Sequence, residues 1–284
     1  MTKFLNALGF LTVIRIPAKF ILKKGEFPKS LIYFPLVGLI IGIIISAFYL
    51  AVSYIFPLIL VVILTVGLEV IFTGGIHLDG LADMFDGAFS GKTEKNKILE
   101  IMKRSDIGVF GVLIIIFVIA LKISLIYYIS LLSQDNLAKF FIIIIFVPVF
   151  GRWSILYLYS RYEPLRKESS LAGVFSSKNN KRTFIISTFY VAVLFIVLYV
   201  ISGLFLSDNL SIVLFKAASY SFLLILLPIL KSAVVISFTF IFLILISSFF
   251  TKRIGGITGD VLGGVCVIVE VFYLIISYIL LRFI

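Results

Sequence analysis

Apolar residues in this chain gather in long runs, rather than in the alternation of a half-buried strand or the narrow stripe of a surface helix. The runs cover 31–55, 57–73, 108–131, 140–159, 184–206 and 261–281, and a further apolar stretch covers 210–250. About 20 apolar residues rising 1.5 Å each cross the roughly 30 Å of bilayer hydrocarbon, so each run predicts a membrane-crossing helix. The 210–250 stretch is too long for one simple crossing. Pro228 and Lys231 interrupt it near the middle, and proline removes a backbone donor and clashes with the preceding turn, so a hairpin or re-entrant break is expected there. The pattern reads as an all-α, polytopic transmembrane helical bundle of seven or eight spans. No repeat of fixed period appears, so residues 1–284 form a single domain.

Composition sharpens this picture. The chain is 62% hydrophobic and 14% charged, with a mean hydropathy of +1.23. Soluble domains carry roughly 25% charged residues, so a water-facing fold is excluded. Lys and Arg total 25 against 14 Asp and Glu, and position says what the excess means. Lys3, Arg15, Lys19, Lys23, Lys24 and Lys29 precede the first run, Lys92 to Arg104 follow the second, and Arg161 to Arg182 follow the fourth. Basic loops stay in the cytoplasm, which predicts a multi-pass cell-membrane protein with those loops and the N-terminus inside. Lys252 and Arg253 join that side if 210–250 crosses an odd number of times. The lipid bilayer, and not nucleic acid, is the partner this charge implies. Cys266, the single cysteine, lies in the last run, so no intramolecular disulfide forms. No cleavable signal peptide is evident in the first thirty residues. Oligomeric state, a homo-oligomer included, stays open.

One segment concentrates chemistry. Gly75-Ile-His-Leu-Asp-Gly-Leu-Ala-Asp-Met-Phe-Asp-Gly87 holds Asp79, Asp83 and Asp86, and on a helix the i, i+4, i+7 spacing puts them within roughly 60° of arc. Carboxylates about 6 Å apart repel by roughly 3 kcal/mol at an effective dielectric near 20, and a charge in the membrane interior costs about 2.5–3.5 kcal/mol more. A divalent cation compensates both. Oxygen ligands without clustered cysteines or histidines favour Mg2+ over zinc, and Mg2+ completes its shell with water and phosphate oxygens. The stripe therefore points to phosphate chemistry; its plain alternative is the solvated face of an interfacial helix. His77 is a lone histidine, either a packing residue or a base. Glu69, Asp106, Asp260 and Glu270 also lie in apolar surroundings, where ionisable groups are functional candidates by default. Asp260 sits among Gly255, Gly256, Gly259, Gly263 and Gly264, which also suit close helix packing. The Walker A spacing of a nucleotide-hydrolysing loop is missing.

The Gly75–Gly87 segment, together with Glu100-Ile-Met-Lys-Arg-Ser-Asp-Ile-Gly-Val-Phe-Gly111 and Gly255 to Gly263, resembles the cobalamin synthase family, the adenosylcobinamide-GDP ribazoletransferases. Phe10-Leu-Thr12, Arg15-Ile-Pro17 and Gly151-Arg152 also look like family features, so the resemblance covers nearly the whole chain. The second motif departs from the family pattern, which reads closer to Lys-Asp-Ser-Arg; Lys103-Arg-Ser-Asp106 exchanges acid and base. The resemblance implies Mg2+-dependent transfer of adenosylcobinamide phosphate from adenosylcobinamide-GDP to the 5'-hydroxyl of alpha-ribazole or its 5'-phosphate, releasing GMP, with the active site on the cytoplasmic side. In that setting Asp79, Asp83, Asp86 and Asp260 are the expected metal ligands. Asp83 or His77 is the expected proton acceptor, and Lys103, Arg104 and Arg152 would neutralise phosphate charge. Arg15, Glu69, Asp106, Arg152 and Glu270 are the expected substrate-binding residues.

Two other readings compete. CDP-alcohol phosphotransferases are acid-rich membrane enzymes too, but their motif has an arginine after the alanine, where this chain has Asp83 after Ala82. An ion- or proton-coupled transporter would use Glu69, Asp79, Asp260 and Glu270 as a relay.

Overall fold

The computed structural model describes residues 1–23, 25–165, 171–204 and 218–283. Its helices are α1 (Thr2–Leu11), α2 (Phe34–Ser53), α3 (Leu58–Thr73), α4 (Ile76–Phe89), α5 (Lys95–Ile101), α6 (Val109–Leu132), α7 (Leu137–Arg161), α8 (Leu171–Val174), α9 (Asn180–Leu204), α10 (Ala218–Ile254) and α11 (Gly259–Phe283). Among the described residues six helices are long and apolar enough to cross a membrane, and a seventh span results if the bent α3/α4 pair counts as one. The chain is a multi-pass helical membrane protein.

α7 is the central post, buried along most of its length, with α11 beside it. Gly38 and Gly42 let α2 pack directly on α7, because a Cβ at either position would collide with the backbone of Pro148–Val149 or Ile145. Close approach through small residues is the usual substitute for hydrophobic driving force inside a bilayer. Residues such as Phe117, Phe189, Phe238 and Leu245 point outward, as the lipid-facing side of a bundle requires.

Two local features position the chemistry. First, α3 and α4 meet at an 88° bend built on Gly74 (φ 64°) and Gly75 (φ 69°). Gly74 N donates to Ile71 O and Gly75 N to Val70 O, both at 3.0 Å. This paired closure ends a helix in the left-handed region that only glycine enters cheaply. The bend throws α4 across one end of the bundle, against the starts of α6 and α11 and the end of α10. Gly80, Gly263 and Gly264 seat α4 on α11, since a Cβ at Gly80 would strike the Asp260 backbone, one at Gly263 that of His77, and one at Gly264 the Met84 side chain.

Second, the break expected at Pro228 and Lys231 does not form. α10 runs unbroken through Pro228 from Ala218 to Ile254; residues 210–217 of that stretch lie outside the described residues. Gly203 of α9 lies opposite the proline ring, whose Cγ is 3.2 Å from where a Cβ on that glycine would be, so the neighbour makes room for the ring. One helix instead of a hairpin puts Lys252 and Arg253 at the same end as α4. There Arg253 donates to Ala88 O and Lys92 O, both at 2.9 Å.

Candidate active site

The i, i+4, i+7 spacing does put the three aspartates on one side of α4, but tertiary contacts divide them. Asp86 accepts from Gly108 N at 2.7 Å and Gly111 N at 2.9 Å, so its carboxylate caps the start of α6. A Cβ at Gly108 or Gly111 would overlap that carboxylate, which explains both glycines of the Ile107-Gly-Val-Phe-Gly111 motif. Asp79 and Asp83 contact no hydrogen-bond donor and no cation among the described residues. Asp260, at the first turn of α11, joins them from the facing helix: the negative charges of Asp260, Asp79 and Asp86 all act on Asp83. Thr258 Oγ1 donates to Asp260 Oδ2 at 3.3 Å and accepts from Val261 N at 3.2 Å, which fixes the carboxylate at the helix start.

Asp79, Asp260 and His77 open on a cavity of about 150 Å3 walled by Phe10, Ile155 and Tyr159. His77 is buried, and its Nε2 has no hydrogen-bond partner. The α1 end closes in from above, with Val13 N donating to Phe72 O at 2.9 Å, and this brings the Thr12–Arg15 segment beside the α3/α4 bend. Arg15 itself is exposed.

Beneath this cavity lies a second polar assembly, wholly buried. Lys122 Nζ of α6 lies 2.8 Å from both Glu69 Oε2 of α3 and Glu270 Oε2 of α11, and Arg152 of α7 pairs with Glu270 Oε1. Gly151 leaves the space Glu270 occupies. Two cations and two anions cancel, so four charges survive in a place where each alone would be prohibitive. Glu270 lies ten residues, about 15 Å of helix, from Asp260. The void at the network is small, about 30 Å3, and His77 borders it as well. Glu69, Arg152 and Glu270, expected to bind substrate, pair with one another and with Lys122, while Arg152 Nε is left buried without a hydrogen-bond partner among the described residues. Lys122 lies outside both the basic loops and the acidic segment that the sequence singles out; its signal there is a lone lysine midway through the 108–131 run.

Lys103 and Arg104 sit in the exposed loop joining α5 to α6. Arg104 grips Asp106 with two bonds of 2.9 and 2.8 Å, which hold the Asp106 carboxyl below its ordinary range and raise the guanidinium. In this chain the acid and the base of the motif thus form a closed pair. Lys103 makes no ion pair among the described residues.

Three carboxylates drawn from two helices, with no counter-cation among the described residues, have the donor chemistry of a hard divalent ion. No group of three or more His, Cys, Asp or Glu side chains among the described residues is assembled to hold an ion by itself, so water or phosphate oxygens would have to supply the rest of a shell.

Comparison with known proteins gives a consistent answer. Residues 3–278 match the family described as CobS, cobalamin-5-phosphate synthase. An adenosylcobinamide-GDP ribazoletransferase from Clostridioides difficile (strain 630) is 35% identical over 286 residues, covering 99% of this chain and 98% of that protein. A protein of the same name from Thermoanaerobacter sp. (strain X514) is 34% identical over 269 residues, 95% of this chain and 94% of its own. Another, from Fusobacterium nucleatum, is 33% identical over 294 residues, 100% and 99% of the two chains. No solved structure matches. With matches running almost end to end and the aspartate segment inside them, this chain belongs to the cobalamin-5-phosphate synthase family.

Proposed function

We propose that this protein is a membrane-embedded adenosylcobinamide-GDP ribazoletransferase, joining adenosylcobinamide phosphate to alpha-ribazole (or its 5'-phosphate) and releasing GMP. The names of its relatives supply the substrates. The observation that carries the phosphate chemistry is the meeting of Asp79, Asp83 and Asp260 beside a cavity, with no cation paired to them among the described residues. The basic segment following α4, Lys92 to Arg104, supports placing this end of the bundle on the cytoplasmic side of the cell membrane.

In this reading Asp79, Asp83 and Asp260 hold Mg2+, and Asp86 keeps α4 locked to α6 so that the stripe stays in register. When bound, the ion neutralises charge on the pyrophosphate oxygens and on the departing GMP. His77, with Nε2 unpartnered on the cavity wall, or Asp83 accepts the proton of the ribazole 5'-hydroxyl. Lys103, exposed in the α5–α6 loop, meets excess phosphate charge. The hydroxyl oxygen bonds to the phosphorus nearer the cobinamide, and the bond from that phosphorus to the GMP oxygen breaks. One phosphate stays in the product.

The test is incubation of purified protein with adenosylcobinamide-GDP, Mg2+ and alpha-ribazole carrying oxygen-18 in its 5'-hydroxyl. The label is expected in the product phosphodiester, with unlabelled GMP released. Label in GMP, or GDP as the released nucleotide, rejects the chemistry.

A further inference from the structure

A third cavity lies at the same end of the bundle, between the ends of α7 and α10 and the start of α5. It measures about 490 Å3, is broadly open to solvent, and is lined by Lys95, Arg161, Tyr162, Glu163, Lys252 and the Gly255–Gly256 turn. Its walls are fixed by backbone. Leu165 N donates to Ile257 O at 3.1 Å and Ile257 N to Glu163 O at 3.4 Å, while Arg253 ties the end of α10 to the α4–α5 connection. Gly255, at φ 104°, is held where a Cβ would come within 2.8 Å of Lys95 Cδ, so the lysine stem lies directly over the turn.

Lys95, Arg161 and Lys252 make no ion pair among the described residues. Three cations against the single carboxylate of Glu163 leave the described lining of this open recess net positive, which suits an anion with several oxygens, and a guanidinium is the side chain best matched to phosphate. Asp260 follows Gly256 by four positions, a reach of at most about 14 Å when fully extended. Size also discriminates. Ligand sites run from about 300 to 1,000 Å3; the cavity at Asp79 and Asp260, about 150 Å3, falls below that range, and this one falls within it.

We propose that this basic cavity is the nucleotide subsite, taking the GDP half of the donor with its phosphates against Arg161, Lys95 and Lys252 and its base over the Tyr162 ring. The assignment rests on the transferase reading above for the identity of the nucleotide. It divides the labour at this end of the bundle: carboxylates hold the reacting phosphate, and a separate, open basic recess holds the leaving group.

An anionic lipid headgroup offers similar phosphate chemistry, so the experiment separates the two. The full-length protein is placed in phosphatidylcholine nanodiscs with EDTA, and a fluorescent GDP analogue is titrated by polarisation, with unlabelled GDP as competitor. Wild type is expected to bind it. Arg161→Gln and Lys252→Gln are each expected to weaken binding by about tenfold or more, the scale of one charge-assisted hydrogen bond, and Lys252→Glu further still. These positions are exposed, and an unchanged thermal midpoint will show that the variants fold. In turnover, KM for adenosylcobinamide-GDP is expected to rise while KM for ribazole does not. Asp79→Asn should retain GDP binding, so failure of ribazole transfer and failure of this subsite read out separately. Unchanged GDP affinity in the Arg161→Gln/Lys252→Gln double variant overturns the proposal. So does absence of GDP binding in neutral nanodiscs together with phosphatidylglycerol enrichment around wild type that the double variant loses.

Discussion

Replacing Lys122 by methionine removes the cation that joins three helices while keeping nearly the same side-chain length. Both contacts of its Nζ are 2.8 Å long, but their loss is unequal. Glu270 keeps Arg152, whereas Glu69 loses its only ion-pair partner among the described residues. At 2.8 Å and an effective dielectric of 20 each contact is worth roughly 6 kcal/mol before desolvation is counted. The net cost of removing one partner from a buried pair is nearer 3–5 kcal/mol. At about 2 °C per kcal/mol for a chain of this size, the unfolding midpoint should fall by roughly 6–10 °C. Cys266 provides the assay. It is the single cysteine, buried, with Sγ 3.9 Å from Glu270 Oε1, so a thiol-reactive fluorophore added to detergent-solubilised protein reports the opening of this network as temperature rises. Glu69→Gln in the Lys122→Met background removes the stranded charge and should restore much of the midpoint. An unchanged midpoint in Lys122→Met, or no recovery in the double variant, would refute the view that the four charges exist to satisfy one another.

Asp79→Asn and Asp83→Asn should each lower turnover by about 100-fold or more, on the scale of losing one preorganised electrostatic contact. In EDTA the same variants should unfold no earlier than wild type, and Asp83→Asn later, because like-charge repulsion is relieved; full activity in either would reject the metal assignment. Asp86→Ala should behave differently, losing about 0.5–2 kcal/mol of stability, the value of a helix cap, and the Cys266 labelling midpoint measures it. Single cysteines at Lys97 and Lys178, in a Cys266→Ser background, should resist impermeant thiol reagents in intact cells and react in inverted vesicles. Labelling from outside would reverse the assigned orientation.

The chain order of hydrophobic and polar residues determined the all-helical membrane bundle. Runs of about 20 apolar residues have no other way to satisfy their backbone in lipid than as helices, and α6, α7 and α11 lie within a few residues of the 108–131, 140–159 and 261–281 runs. Local spacing likewise determined that Asp79, Asp83 and Asp86 share a helix face, because helical phase depends only on separation along the chain. Three matters belonged to tertiary structure. The Gly74-Gly75 pair marked a turn, but the 88° direction of α4 depends on the helices it lands against. Asp86 is the same residue type as Asp79 and Asp83, yet its partners, Gly108 and Gly111, lie 22 and 25 positions away. Pro228 read as a break because a proline costs an isolated helix a hydrogen bond and a clash; in the bundle Gly203 of the next helix absorbs the ring and α10 continues. Lys122, Glu69, Arg152 and Glu270 come from four helices, and nothing along the chain couples them. A buried charge is tolerated only where another chain segment brings its opposite, and which segments meet is decided by packing.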